Sequence, residues 1–189
     1  GNLRWVTYGP VFVDAPGTPD LISHPSLPGR ILSGWRNNGM TLLGETYARY
    51  GSSDGYHRFF ATWSDSELAF AWDGNSWNST SGNLFIYLDT GKEGGAREAY
   101  DPFGVGPATG LPAQQGHPLA ADYAIWLSDG NDAVLLAWDG SAWQEQGPVM
   151  VDNQELQMWT VIRVPFADIG ISDPQATRLD VVAFATEEG

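Results

Sequence analysis

The sequence predicts an all-β fold: a two-sheet antiparallel β-sandwich with one short helical turn. Three observations carry this reading. Aromatic side chains are abundant, with 9 Trp, 7 Tyr and 8 Phe in 189 residues, and such side chains suit a pleated surface that is buried on one or both faces. Turn residues are equally dense, with 23 Gly and 12 Pro, and these punctuate short elements rather than long ones. The apolar runs between them have the length of strands and are too short for most helices.

Taken in order, the strand-like runs are Trp5–Tyr8, Val11–Val13, Tyr56–Trp63, Leu68–Trp72, Leu84–Asp89, Tyr123–Ser128, Ala133–Trp138, Val149–Val151, Gln157–Val164 and Leu179–Thr186. Within them LFIYL and VLLAW are apolar on both faces, which places them between two layers or deep in a sheet. Thr41–Arg49 (TLLGETYAR) reads equally as strand or short helix. Pro165–Gly170 (PFADIG) has Pro near a helix start and Gly at a stop, so it predicts a single helical turn. AWDGNSW (71–77) and AWDGSAW (137–143) echo each other, and each predicts a hairpin with an Asp-Gly turn between two Trp. Ser128–Asp132 predicts a further hairpin turn. Residues 92–121 hold six Gly and four Pro. A stretch this long and irregular is uncommon in a compact domain, and it is expected to cover one end or face of the sandwich. The whole chain, 1–189, reads as one domain, in which residues 1–55 are extra strands or an arm.

Composition narrows the function. Nine basic residues against 23 acidic ones give a net charge of −14, which repels phosphate backbones and excludes nucleic acid as a natural partner. No apolar run reaches the length of a membrane-spanning helix, so no membrane insertion is expected. The start of the chain lacks a signal-peptide pattern, as in a mature chain or an excised domain. There is no Cys, hence no disulfide framework, thiolate metal site or Cys nucleophile. His24, His57 and His117 are scattered, which argues against zinc. No G-x-S-x-G, H-E-x-x-H or phosphate-loop string occurs, so the expectation is a protein that is not an enzyme.

Ser66–Gly74 (SELAFAWDG) followed by Gly82–Thr90 (GNLFIYLDT) resembles the centre of the DOMON-like superfamily, which includes the family-nine carbohydrate-binding modules and the C-terminal domain of glucodextranase. There an apolar strand ends in Asp, here Asp89, and leads into a Gly-rich loop, here Gly91, Gly94 and Gly95. Ala121–Leu127 (ADYAIWL), Ile162–Gly170 (IRVPFADIG) and Phe184–Gly189 (FATEEG) are similar to later parts of the same core. The resemblance spans residues 56–189. It implies a DOMON-like, immunoglobulin-like sandwich, often with structural calcium.

Sugar rings stack on exposed Trp or Tyr while polar side chains reach their hydroxyls. Trp63, Trp72, Trp126 and Trp138 lie within apolar strands and are expected in the core. Trp35, Trp77 and Trp143 beside polar turns, with Tyr100 from the 92–121 loop, are the candidate ligand platform. Calcium takes six to eight oxygens, and Asp89, Glu98, Asp101 and Asp122 at or near the ends of that loop are the candidate ligands. The functional expectation is a non-catalytic carbohydrate-binding-like module of a larger secreted or surface protein, extracellular and bacterial. The alternative is a structural or adhesive surface domain, or an assembly subunit, that packs against copies of itself or neighbouring domains and binds no small ligand.

Overall fold

The computed structural model describes residues 6–13, 41–50, 53–64, 66–73, 83–104, 110–111, 113–114, 117–128, 132–154, 159–174, 177 and 179–186. The expected sandwich is present. A six-stranded sheet is built from β1 (Val6–Val13), β5 (Asn83–Asp89), β8 (Tyr123–Leu127), β9 (Ala133–Trp138), β10 (Trp143–Pro148) and β13 (Leu179–Thr186), in the order β1-β13-β5-β8-β9-β10. A five-stranded sheet holds β2 (Thr41–Tyr50), β3 (Ser53–Trp63), β4 (Glu67–Asp73), β11 (Met150–Gln154) and β12 (Trp159–Pro165), in the order β11-β12-β4-β3-β2. All pairings are antiparallel. β6 (Ala113–Gln114) and β7 (His117–Pro118) form a separate two-stranded ribbon. The ambiguous 41–49 segment is strand, and the PFADIG turn is a 3-10 helix over Phe166–Ile169 stopped by Gly170 at φ 69°, a left-handed stop that Gly adopts without strain.

Strand alternation sorts the side chains into two cores. On β5, Leu84, Ile86 and Leu88 point between the sheets and meet Phe59, Phe70, Trp72, Ile125, Leu135 and Ile162. Phe59 stacks on Phe70 with centroids 5.4 Å apart. Phe85 and Tyr87 point to the other face of the same strand, where they pack with Leu111, Leu119, Ala121, Leu136 and Val182. The segment after β5 therefore forms a third layer on the outside of the six-stranded sheet. This explains why LFIYL is apolar at every position: both of its faces are covered. Trp63 and Trp72 are core residues, as expected.

The covering layer is tied down at its neck. Ala96 and Ala121 exchange backbone hydrogen bonds of 2.8 Å in both directions, and the Leu111 N–H donates to the Arg97 carbonyl at 2.7 Å. Gly95 permits this closure, because a Cβ there would lie 2.2 Å from the Ala120 carbonyl oxygen.

One strand of each sheet meets at a corner. β10 is the edge of the six-stranded sheet and β11 the edge of the five-stranded sheet, and only Val149 separates them. The Val149 N–H still donates to the Ala133 carbonyl at 2.9 Å, so the chain leaves one sheet and enters the other within a single residue.

One expectation is corrected and one strand is added. Of AWDGNSW only Ala71–Asp73 lie within the described residues, and they are paired on both sides, with β3 and with β12, which leaves no free edge of β4 for the expected return strand. WQEQGP, which is not among the strand-like runs, is β10, the return strand of the AWDGSAW hairpin. It is polar because it is an edge strand, with a register shift between Glu145 and Gly147 and with Pro148 at its end, devices that discourage pairing with another sheet.

Candidate functional site

The loops after β5, β9 and β12 gather at one end of the sandwich. There a solvent-open cleft is lined by Lys92, Glu93, Gly94, Gly95, Asp122, Tyr123 and the 137–140 stretch, Ala137 to Gly140. A small apolar pit lies nearby between the layers, lined by Trp63, Leu68, Phe166, Ile171 and Leu179 among others. The polar cleft has the mixture of an aromatic wall and convergent polar groups that ligand sites show.

Each wall of the cleft follows from local chemistry. The β9–β10 turn is held by Asp139. Its Oδ1 accepts hydrogen bonds from the Ser141 N–H at 2.8 Å, the Ser141 hydroxyl at 2.9 Å and the Ala142 N–H at 2.8 Å, while Oδ2 accepts from Gln144 at 3.0 Å. These donors, the backbone N–H of Ala142 foremost, pull the Asp139 carboxyl down to about 2. Gly140, at φ 100°, supplies the left-handed residue that the turn requires. The turn sets Trp138 opposite Trp143, their rings edge-on at 5.5 Å. Trp143 in turn meets Tyr87 edge-on at 5.7 Å, and its indole N–H donates to the Glu98 carbonyl at 3.2 Å.

The opposite wall is the start of the covering layer. Asp122 is buried, and its Oδ2 accepts from the Thr90 N–H, the Thr90 hydroxyl and the Lys92 N–H at 2.8, 2.7 and 3.3 Å. Asp89 accepts from the Gly91 N–H at 2.9 Å and the Ala120 N–H at 3.2 Å, clamping both ends of the segment. Burial pushes the Asp89 carboxyl up, and the like charges of Asp122 and of Asp180, its cross-strand partner, add to this. The Lys92 ammonium turns inward, where it donates to the Tyr123 hydroxyl and lies 4.3 Å from that ring's centroid.

Of the candidate platform residues, Trp143 stands against Trp138 beside the cleft, and Tyr100 is on the outer face, its N–H donating to the Tyr87 hydroxyl at 2.9 Å and its ring edge-on to Trp126. Trp35 and Trp77 lie outside the described residues. Trp138 and Trp126 depart from the core expectation, since both are half-buried on the outer face of the six-stranded sheet. Trp138 lies at the end of its strand, where the covering layer stops, and so becomes a wall of the cleft. Its position just before an Asp-Gly turn was the available signal.

The four carboxylates proposed as calcium ligands do not converge. Asp89 and Asp122 come together at the neck, but their oxygens accept loop N–H groups. Asp101 is used in a turn, its Oδ1 accepting from the N–H groups of Phe103 and Gly104. Glu98 is exposed, on a backbone bridge to Gly110. Among the described residues no group of three or more His, Asp or Glu is placed to hold a metal ion, so these four do not fit a calcium cage. The described residues also contain no helix long and apolar enough to cross a membrane. The chain matches no known protein family, no curated protein and no solved structure.

Proposed function

We propose that this domain is a non-catalytic glycan-binding module of the DOMON-like kind, carried on an extracellular or cell-surface protein, with the Trp138 cleft as its binding site. The observation that supports this reading is the half-buried indole of Trp138 in a cleft otherwise lined by polar side chains, Ala137 and three glycines, at two of which, Gly94 and Gly140, a Cβ would meet nothing within 4 Å. A sugar ring needs an aromatic face, hydrogen-bonding groups at its edge and room beside them. Two of the cleft's three carboxylates support binding over catalysis. Asp122 and Asp139 each accept three or four hydrogen bonds from their own loops, and an acid held near 2 is a poor proton donor or base at neutral pH.

A glycan array and a panel of soluble polysaccharides test the reading, with Trp138→Ala as the site variant. Binding that disappears in Trp138→Ala, while circular dichroism shows an intact sheet, is the expected result. A folded wild-type protein that binds nothing on a broad panel, or a Trp138→Ala protein that binds as well as wild type, would sink it. The former outcome, combined with concentration-dependent polymers on size exclusion, would favour the structural or adhesive reading instead.

A further inference from the structure

The cleft is electrically one-sided. Glu93, Asp122 and Asp139 face Lys92 as its charged groups, on a chain whose net charge is −14. The one cation of the lining, the Lys92 ammonium, is bonded to the Tyr123 hydroxyl of the same cleft and packed over that ring, so three carboxylates stand against a single positive charge. Asp122 and Asp139 contribute negative potential while their oxygens are occupied by loop donors. Glu93 differs from both. It is exposed and, among the described residues, has no hydrogen bond or ion pair. A carboxylate with no partner in the same cleft as a half-buried indole offers an ammonium group both of the interactions it favours, an ion pair and the negative face of an aromatic ring.

We propose that the cleft selects glycans bearing a free amine, that is hexosamine units whose nitrogen is not acetylated, over neutral sugars and over uronic acids. This rests on the glycan-binding reading above and adds the charge class of the ligand. Stacking on Trp138 provides binding to any sugar, and the Glu93 charge discriminates between them. Acetylation removes the ammonium, leaving a neutral amide that gains nothing from Glu93. A uronic acid brings a fourth carboxylate into a field already negative.

The test is calorimetric titration of the full chain with three probes of equal length: a glucosamine tetramer, an N-acetylglucosamine tetramer and a galacturonic acid tetramer. The glucosamine tetramer is expected to bind roughly tenfold tighter than the acetylated one, and the galacturonic acid tetramer weakest. E93Q is expected to bring the ratio of the first two close to one, and raising NaCl from about 50 mM to about 500 mM is expected to shrink it in the wild type. Equal affinity for the two hexosamine tetramers, or a ratio that survives E93Q, overturns the charge inference while leaving the glycan reading standing. No binding of any tetramer by the folded chain overturns the charge inference, and the glycan reading then stands or falls on the broad panel above. A lysine tetrapeptide that binds as tightly as the glucosamine tetramer overturns the assignment to sugars.

Discussion

Gly95→Ala should loosen the covering layer from the six-stranded sheet, and the structure sets the size of the effect. The new Cβ would lie 2.2 Å from the Ala120 carbonyl oxygen and 2.5 Å from the Ala120 carbonyl carbon, where ordinary contact requires about 3.5 Å. Both atoms are backbone, so no rotamer change relieves the overlap and the two segments must part by roughly 1 Å. That displacement strikes the reciprocal Ala96–Ala121 hydrogen bonds, each contributing about 1 kcal/mol, and adds overpacking strain of about 1–3 kcal/mol. The reduced freedom of the unfolded chain returns about 0.4–1 kcal/mol. The expected net loss is about 2–4.5 kcal/mol, or roughly 4–18 °C in Tm for a domain of this size. Urea unfolding followed by Trp fluorescence measures it, and hydrogen exchange at the Ala96 and Ala121 amides locates it. Gly94→Ala is the control. It has open space for a Cβ but a φ of 84°, so it should cost about 1 kcal/mol. If Gly95→Ala is no less stable than Gly94→Ala, the close approach at the neck is not what holds the layer down.

Further predictions concern charge and the buried hydroxyl. Asp139 has a folded pKa of about 2, below its ordinary value of 3.8, so its contribution to stability is present above that ordinary value and is lost as pH falls from about 4 towards about 2. In pH-dependent urea unfolding, the advantage of wild type over Asp139→Asn should shrink over that window, and a constant difference would contradict the turn's hydrogen bonding. Asp89 has the opposite sign: its carboxyl is raised by burial and by like charges, so ionisation costs stability and wild type should lose ground against Asp89→Asn as pH rises from the ordinary carboxylate range through the raised value. Tyr87→Phe removes the oxygen that accepts the Tyr100 N–H and leaves that donor without a partner, for an expected loss of about 1–3 kcal/mol in equilibrium unfolding. A loss near zero would show that water replaces the hydroxyl there.

Much of the fold was legible in the residues because strand alternation is a local signal. Leu84–Asp89 announced a strand covered on both faces, and the 92–121 stretch was the material for the second cover. What the sequence hid were features that depend on where a strand ends up in the sheet. WQEQGP is a strand because β9 offers it a partner, and no periodicity in its own side chains marks it. The AWDG tetrapeptide is the same at 71–74 and 137–140, but β9 has a side open to a returning partner whereas β4 has both sides taken. Trp138 was placed in the core because its run is apolar, yet the covering layer ends short of it. Asp89, Glu98, Asp101 and Asp122 are close in the chain, and a sequence shows only their number, whereas the N–H groups that occupy Asp89, Asp101 and Asp122 are set by the loop's path.

The one-residue passage through Val149, from the edge of one sheet to the edge of the other, also has a mechanical meaning. On that flank the two layers share a continuous covalent chain, fastened to β9 by the Val149–Ala133 hydrogen bond, and neither can slide past the other without tearing strand pairs from both. The sandwich behaves there like a folded sheet with a crease rather than two plates pressed together. A load that shears the layers is resisted along this crease by backbone geometry, independently of how well the side chains between them interlock.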